Sequence, residues 1–212
     1  MDIKRTIYFS PLGRIISIAQ NIIASFHKPF MVYGYYDNKR KKYLSSVRIS
    51  STAVLMNKKN LFLGNNVWIW HNSIIDATGE VLIGEGVQIG ANVGIFSHSS
   101  HMAIRLLGKK YIEIPRHERL GYITGKTEIG DYTFISSGSY VLAGVKIGKG
   151  CVIGSNTVVT KDIPDYSVVA GAPAKVIKSI LEDDIKYFNH KIVQDNYFDQ
   201  KKIEEFLRET VD

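Results

Sequence analysis

Only one cysteine, Cys151, occurs in 212 residues, so no disulfide can close within the chain and no cysteine-based zinc site can be assembled. That usage fits a reducing compartment. No cationic stretch followed by a long apolar run and a small-residue cleavage site is present at the start, and no signal peptide is expected. The most apolar early segment, residues 15–26, carries Gln20 and Asn21 and is shorter than the ~20 residues of a bilayer span. No transmembrane segment and a cytoplasmic location are therefore expected. Acids are scarce relative to bases: 20 Asp and Glu against 27 Lys and Arg, a net charge of +7. That excess suits nucleic acid, an anionic membrane or a polyanionic small ligand, or a basic surface with no specific partner. Walker and GxGxxG phosphate loops are absent.

What is present is a period. Stepping by six from Ile129 gives Ile135, Val141, Ile147, Ile153 and Val159, all aliphatic. Four residues after each aliphatic stand Thr133, Ser139, Val145, Cys151, Thr157 and Ile163, small or β-branched. An earlier block runs Leu63, Ile69, Ile75, then resumes two residues late at Ile83, Ile89 and Ile95, as if Thr78 and Gly79 formed a bulge. Neither a helix nor an ordinary strand has a strict six-residue period. A short parallel strand and a sharp corner, repeated, does, and such coils need neighbours to bury their apolar faces.

The fold expected is mainly β, a parallel β-helix of hexapeptide repeats with N- and C-terminal helical caps. Its expected parts are a helical or irregular segment at 1–46, a β-helix at 47–178 and a helical cap at 179–212. Residues 12–27 have helical apolar spacing, with Ser10 and Pro11 as a start signal. That helix is expected to face the core, with a surface membrane role as the alternative. The basic tract 39–42 should lead into the first coil. Ile203, Phe206 and Leu207 should share one face of a helix closing the other end. The period fails over an excursion at 98–127, which holds His98, His101 and His117, half of the 6 histidines. Long excursions from a regular scaffold are usually functional.

The segments 93–101 (VGIFSHSSH), 147–164 (IGKGCVIGSNTVVTKDIP) and 169–178 (VAGAPAKVIK) resemble the hexapeptide-repeat O-acetyltransferases, the galactoside, maltose and nodulation-factor acetyltransferases among them. The resemblance covers roughly residues 60–180. It implies a left-handed β-helix with three hexapeptides per coil, a homotrimer with intersubunit active sites, acetyl-CoA as co-substrate, no metal, and a sugar or polysaccharide acceptor. It also implies one histidine as general base, and imidazole is the common side chain that accepts protons near neutral pH. Counting forward from Val93 selects His101 and counting back from Arg105 selects His98. His101 is preferred, and the other then only orients it or is solvated.

The positions that match the family's coenzyme-binding residues are Phe134, Ser136, Ser137, Gly138, Ser155, Thr160, Lys161, Lys175 and Lys178. The family often has Trp-Ile-Gly where this chain has Phe134, Ile135 and Ser136. Tyr111, Arg116, His117, Arg119 and Tyr122 are candidates for the acceptor site. A polyanionic coenzyme would give part of the positive charge a purpose, and no nucleic-acid partner is expected. The rivals are an N-acyltransferase of an amino sugar, sugar nucleotide or antibiotic, a non-catalytic β-helix, and a zinc enzyme of the carbonic-anhydrase type. The last would need a third histidine one coil away.

Overall fold

Aliphatic side chains recurring every sixth residue line the interior of the computed structural model, which describes residues 10–26 and 28–211. The chain divides into two units, residues 1–30 and 31–212. In the first, helix α1 (Pro11–Phe26) begins where the Ser10 hydroxyl accepts the Gly13 amide at 3.2 Å, the usual work of a serine before a helix. Only Gly13 of this helix is buried. Leu12, Ile15, Ile18, Ile22, Ile23 and Phe26 are exposed. No helix among the described residues is long and apolar enough to cross a membrane.

The second unit opens with a hairpin, where the sequence suggested helical or irregular chain. Strands β1 (Met31–Asp37) and β2 (Lys42–Ser50) pair antiparallel. The basic tract is their turn: Asp37 accepts the amides of Lys39 and Arg40 at 3.0 and 2.9 Å and the Arg40 guanidinium at 2.6 Å. Strand β2 then enters the first coil. That coil runs on through β3 (Val54–Met56) and β4 (Leu61–Leu63), and the second through β5 (Trp68–Ile69), β6 (Ile74–Asp76) and β7 (Val81–Ile83). The third has β8 (Gln88–Ile89) and β9 (Gly94–Phe96), then leaves the prism through β10 (His98–Ser99) and returns by β11 (Ile123–Thr124) into β12 (Thr127–Ile129). The fourth has β13 (Phe134–Ile135), β14 (Tyr140–Val141) and β15 (Lys146–Ile147). The fifth has β16 (Val152–Ile153), β17 (Val158–Val159) and a single bridge from Ile163 to Ile147. Strand β18 (Ser167–Ala170) follows, and β19 (Lys175–Ser179) folds back antiparallel on it.

Three faces result. The first stacks β2, β5, β8, β13, β16 and β18, the second β3, β6, β9, β14 and β17, and the third β4, β7, β12 and β15. Pairing between coils is parallel and in register: Ile69 meets Ile89, and Ile135 meets Ile89 and Ile153. Each aliphatic of the period is at most 3% exposed. The fourth-step residues are buried at the corners, and two of their hydroxyls bind the next coil: Ser139 donates to the Gly154 carbonyl and Thr133 to the Gly148 carbonyl, both at 2.8 Å. Small polar residues recur there because a buried backbone carbonyl must be satisfied in little space.

The C-terminal segment runs through α2 (Leu181–Asp184), α3 (Lys191–Asn196) and α4 (Gln200–Val211), the last burying Ile203. It is anchored on the corner between the third and first faces. Phe198 lies 4.9 Å from the Tyr132 ring and 6.2 Å from that of Tyr166. Gly150 stands between those two tyrosines in the column, and a Cβ there would come within 2.6 Å of Phe198. Its φ of 60° independently favours glycine. Asp199 binds Lys149 and the Tyr166 hydroxyl, which hold its carboxyl down at about 2.

Candidate active site

The excursion leaves the prism at the corner between the second and third faces, and buried Ser97 fixes its mouth. The Ser97 hydroxyl donates to the Asp76 carbonyl at 2.7 Å and accepts the Gly79 amide at 2.8 Å. Its own carbonyl accepts the Gly125 amide at 2.9 Å, tying the outgoing and returning chains together. Antiparallel pairs His98 with Thr124 and Ser99 with Ile123 close the neck.

His98 stands at this neck. Its Nδ1 lies 3.2 Å from Asp76 Oδ2, with the side chains 27% and 5% exposed. The approach is off the ring N–H direction, so this contact is electrostatic rather than an aligned hydrogen bond. The other oxygen of Asp76 is fixed by Thr78, whose hydroxyl and amide donate at 2.6 and 2.9 Å. Burial pushes the Asp76 carboxyl up, but the Thr78 hydrogen bonds, His98 and the Asn57 amide together outweigh it and hold the group below the usual carboxylate range. The Tyr122 ring stacks on the imidazole, 5.7 Å between centroids and 20° from parallel. A buried carboxylate behind one ring nitrogen and an aromatic wall along the ring restrict this imidazole to a narrow set of orientations.

His101 has different surroundings. It is exposed, its Nδ1 is 2.7 Å from the Ser99 hydroxyl, and its carbonyl accepts the Arg105 guanidinium at 2.6 Å. No carboxylate is described beside it. His117 is also exposed, next to Glu118. Tyr111 and Arg119 stack on one another at 4.1 Å, and Arg116 lies 5.8 Å from the Tyr122 ring. These residues brace the excursion as well as lining its surface.

The candidate coenzyme residues fall into three places. Phe134 lies exposed on the first face, with Ser136, Ser137 and Gly138 at the corner that follows and Ser155 one coil further along. Thr160 and Lys161 are exposed at the corner of the excursion, two coils from it. Lys175 and Lys178 lie on β19, and Lys178 forms an ion pair with Asp183, which also pairs with Lys186. A cavity of about 230 Å³ is lined by Trp68, Trp70, Gln88, Phe134 and Ser137, with the two indoles stacked at 5.0 Å. One chain therefore sets His98 and the serine corner on opposite edges of the second face.

Sequence reasoning missed Asp76, Ser97 and the indole pair. A signal for Asp76 did exist: it is an acid closing a strand beside the two-residue slip at Thr78 and Gly79. The slip places it one coil above the His98 neck, where Asp76 pairs in register with Phe96.

Residues 126–161 match the family model of the bacterial transferase hexapeptide (six repeats). A serine acetyltransferase of Staphylococcus xylosus is 30% identical over 173 residues, 81% of this chain and 73% of that protein. The galactoside O-acetyltransferase of Lactococcus lactis is 33% identical over 135 residues, 62% of this chain and 59% of that one. Among solved structures, a galactoside acetyltransferase in complex with coenzyme A superposes with a TM-score of 0.53 at 30% identity, covering 63% of this chain and 62% of that chain. The chain spans about three fifths of the length of the first curated relatives it matches, 62%, 59% and 59%. With five coils of hexapeptides and these relatives, the chain belongs to the hexapeptide-repeat acetyltransferase family, and its fold is that family's left-handed parallel β-helix.

Proposed function

We propose that the protein transfers an acetyl group from acetyl-CoA to a sugar hydroxyl, with His98 as general base. The observation that carries this is the imidazole of His98 held between the buried Asp76 carboxylate and the Tyr122 ring. With Nδ1 turned to Asp76, Nε2 is the nitrogen left to take the proton of an acceptor hydroxyl as its oxygen attacks the acyl carbon. The carboxylate stabilises the imidazolium that results, as in other carboxylate–histidine pairs. Tyr122 and the Ser97 clasp limit ring motion, which keeps base and nucleophile in line. His101, exposed and bonded to Ser99, has the surroundings of a loop residue.

Acetyl-CoA supplies the activated acyl group. The residues present suit it: the 230 Å³ cavity offers Phe134 and Ser137 to an uncharged arm, and Lys161 and Lys175 are exposed cations for phosphates. Lys178 is the weaker candidate because Asp183 already engages it.

The assembly proposed is a homotrimer with sites between subunits. The outer second face is apolar, with Val54, Met56, Ile74, Tyr140 and Leu142 between 40% and 49% exposed. The excursion turns Ile104, Leu106, Ile112 and Leu120 outward at 55% to 81%. A neighbouring copy covering these surfaces would bring its serine corner toward this His98, and cyclic closure is the common arrangement.

The Staphylococcus xylosus relative, which covers most of the chain, favours a second acceptor, the hydroxyl of serine. Both readings are O-acetylations. Purified protein with acetyl-CoA, galactosides, maltose and L-serine, read by free thiol release, tests them. Release with a sugar above the acceptor-free rate supports the first reading, and release with serine alone replaces it by the second. No release above the acceptor-free rate with any of them removes both. A monomer by light scattering at micromolar concentration removes the intersubunit site.

A further inference from the structure

The first unit carries a surface that the acetyl-transfer reading does not use. At 100° per residue, the apolar residues of α1 from Ile18 round to Ile16 fill an arc of roughly 160°, with Leu12, Ile15, Ala19, Ile22 and Phe26 between them. Leu12, Ile15, Ile18, Ile22 and Phe26 are between 56% and 83% exposed. The opposite arc holds Gly13, Arg14, Ser17, Gln20, Asn21, Ala24 and Ser25, uncharged but for one arginine.

The charge of this segment decides between occupants. From Ile3 to Tyr36 the sequence has no carboxylate side chain, while Lys4, Arg5, Arg14 and Lys28 are cationic. A second copy of the helix would bring like charge and no acid to pair with it. Its seam would also need only two positions in seven, narrower than the arc present. An apolar layer beneath anionic headgroups matches both features, because the broad face inserts while the cations meet the headgroups. We propose that α1 is an in-plane anchor that binds an anionic lipid surface.

The test is flotation of the full-length chain with vesicles of phosphatidylcholine alone and of phosphatidylcholine mixed with phosphatidylglycerol. The chain should float with the mixed vesicles, and added salt should weaken this without abolishing it. The Ile15→Glu/Ile22→Glu variant, altered only at exposed positions, should lose more than about tenfold in bound fraction, with its sedimenting mass and far-UV spectrum unchanged. Arg14→Gln/Lys28→Gln should lose several-fold, and only with the mixed vesicles. Equal binding of the parent to both vesicle types overturns the anionic requirement. A parent that floats with neither, together with a drop in oligomer mass for the Ile15→Glu/Ile22→Glu variant, makes the face a helix–helix interface and overturns the proposal.

Discussion

The corner between the first and second faces repeats itself, while the corner between the second and third does not. At the repeating corner Ser73 and Ser139 each give their hydroxyl to a glycine carbonyl of the next coil at 2.8 Å, and Asn72, Asn92, Gly138 and Asn156 turn the chain with φ between 56° and 76°. Its polar atoms are spent on the scaffold. At the departing corner Asp76, Ser97 and His98 sit where a coil has been lengthened and then interrupted, and their polar atoms hold a loop mouth and an imidazole. Regularity satisfies the backbone. The proton transfer proposed for His98 needs a carboxylate and an imidazole that the repeat has no place for.

His98→Ala should break the departing corner's role outright, lowering turnover by about 10²–10⁴ while leaving the fold intact. His101→Ala should stay close to the parent. Initial rates by thiol release distinguish them, and the opposite ranking would move the base onto the exposed loop. Asp76→Asn should come next, with turnover down about tenfold or more and little change in the Michaelis constant for acetyl-CoA. The Asp76 carboxyl is held below its usual range, so its charge is complete above that range and is lost only as pH falls through the depressed value. A rate that declines between pH 7 and 6 therefore reports another group. If Asp76→Asn matches the parent at every pH, the carboxylate is only a brace for the loop mouth.

Lysines sharpen the comparison from the coenzyme side. Lys161 belongs to the departing corner's column and Lys178 is paired with Asp183. Lys161→Ala should raise the apparent Michaelis constant for acetyl-CoA several-fold, more at low salt, with turnover unchanged. Lys178→Ala should do less. The reverse order would mean that the coenzyme displaces Asp183.

How much of this was legible in the sequence follows the same division. The coils were readable because every aliphatic of the six-residue register faces one interior, so a local pattern reports a global structure. The hairpin of β1 and β2 was not, because Tyr33, Tyr35 and Tyr36 around Gly34 alternate too irregularly for a period-two signal. The C-terminal helices were visible, but their seat on the corner column depends on Phe198 meeting Tyr132 and Tyr166 from far along the chain. At the candidate site, the resemblance left two histidines three residues apart, His98 and His101, as the base it implies. The proposal of His98 rests on Asp76, which only coil stacking brings near it.

The smallest expected effect lies within the repeating corner. Ser139 and Thr157 occupy successive levels of one column. The Ser139 hydroxyl donates to the Gly154 carbonyl and accepts the Thr157 amide at 3.3 Å. The Thr157 hydroxyl is buried and has no partner among the described residues, because the next level is the turn into β19 rather than another coil. Ser139→Ala should leave a carbonyl and an amide unsatisfied in the interior and cost about 1–3 kcal/mol. Thr157→Val removes a hydroxyl that bonds to nothing while keeping the branched shape. It should therefore be neutral, or stabilise by up to about 1 kcal/mol. Denaturant midpoints for the two variants measure the difference, with an unchanged slope as the sign that folding remains comparable. Equal losses would mean that the corner hydroxyls matter for packing alone and that their hydrogen bonds do not distinguish one level from the next.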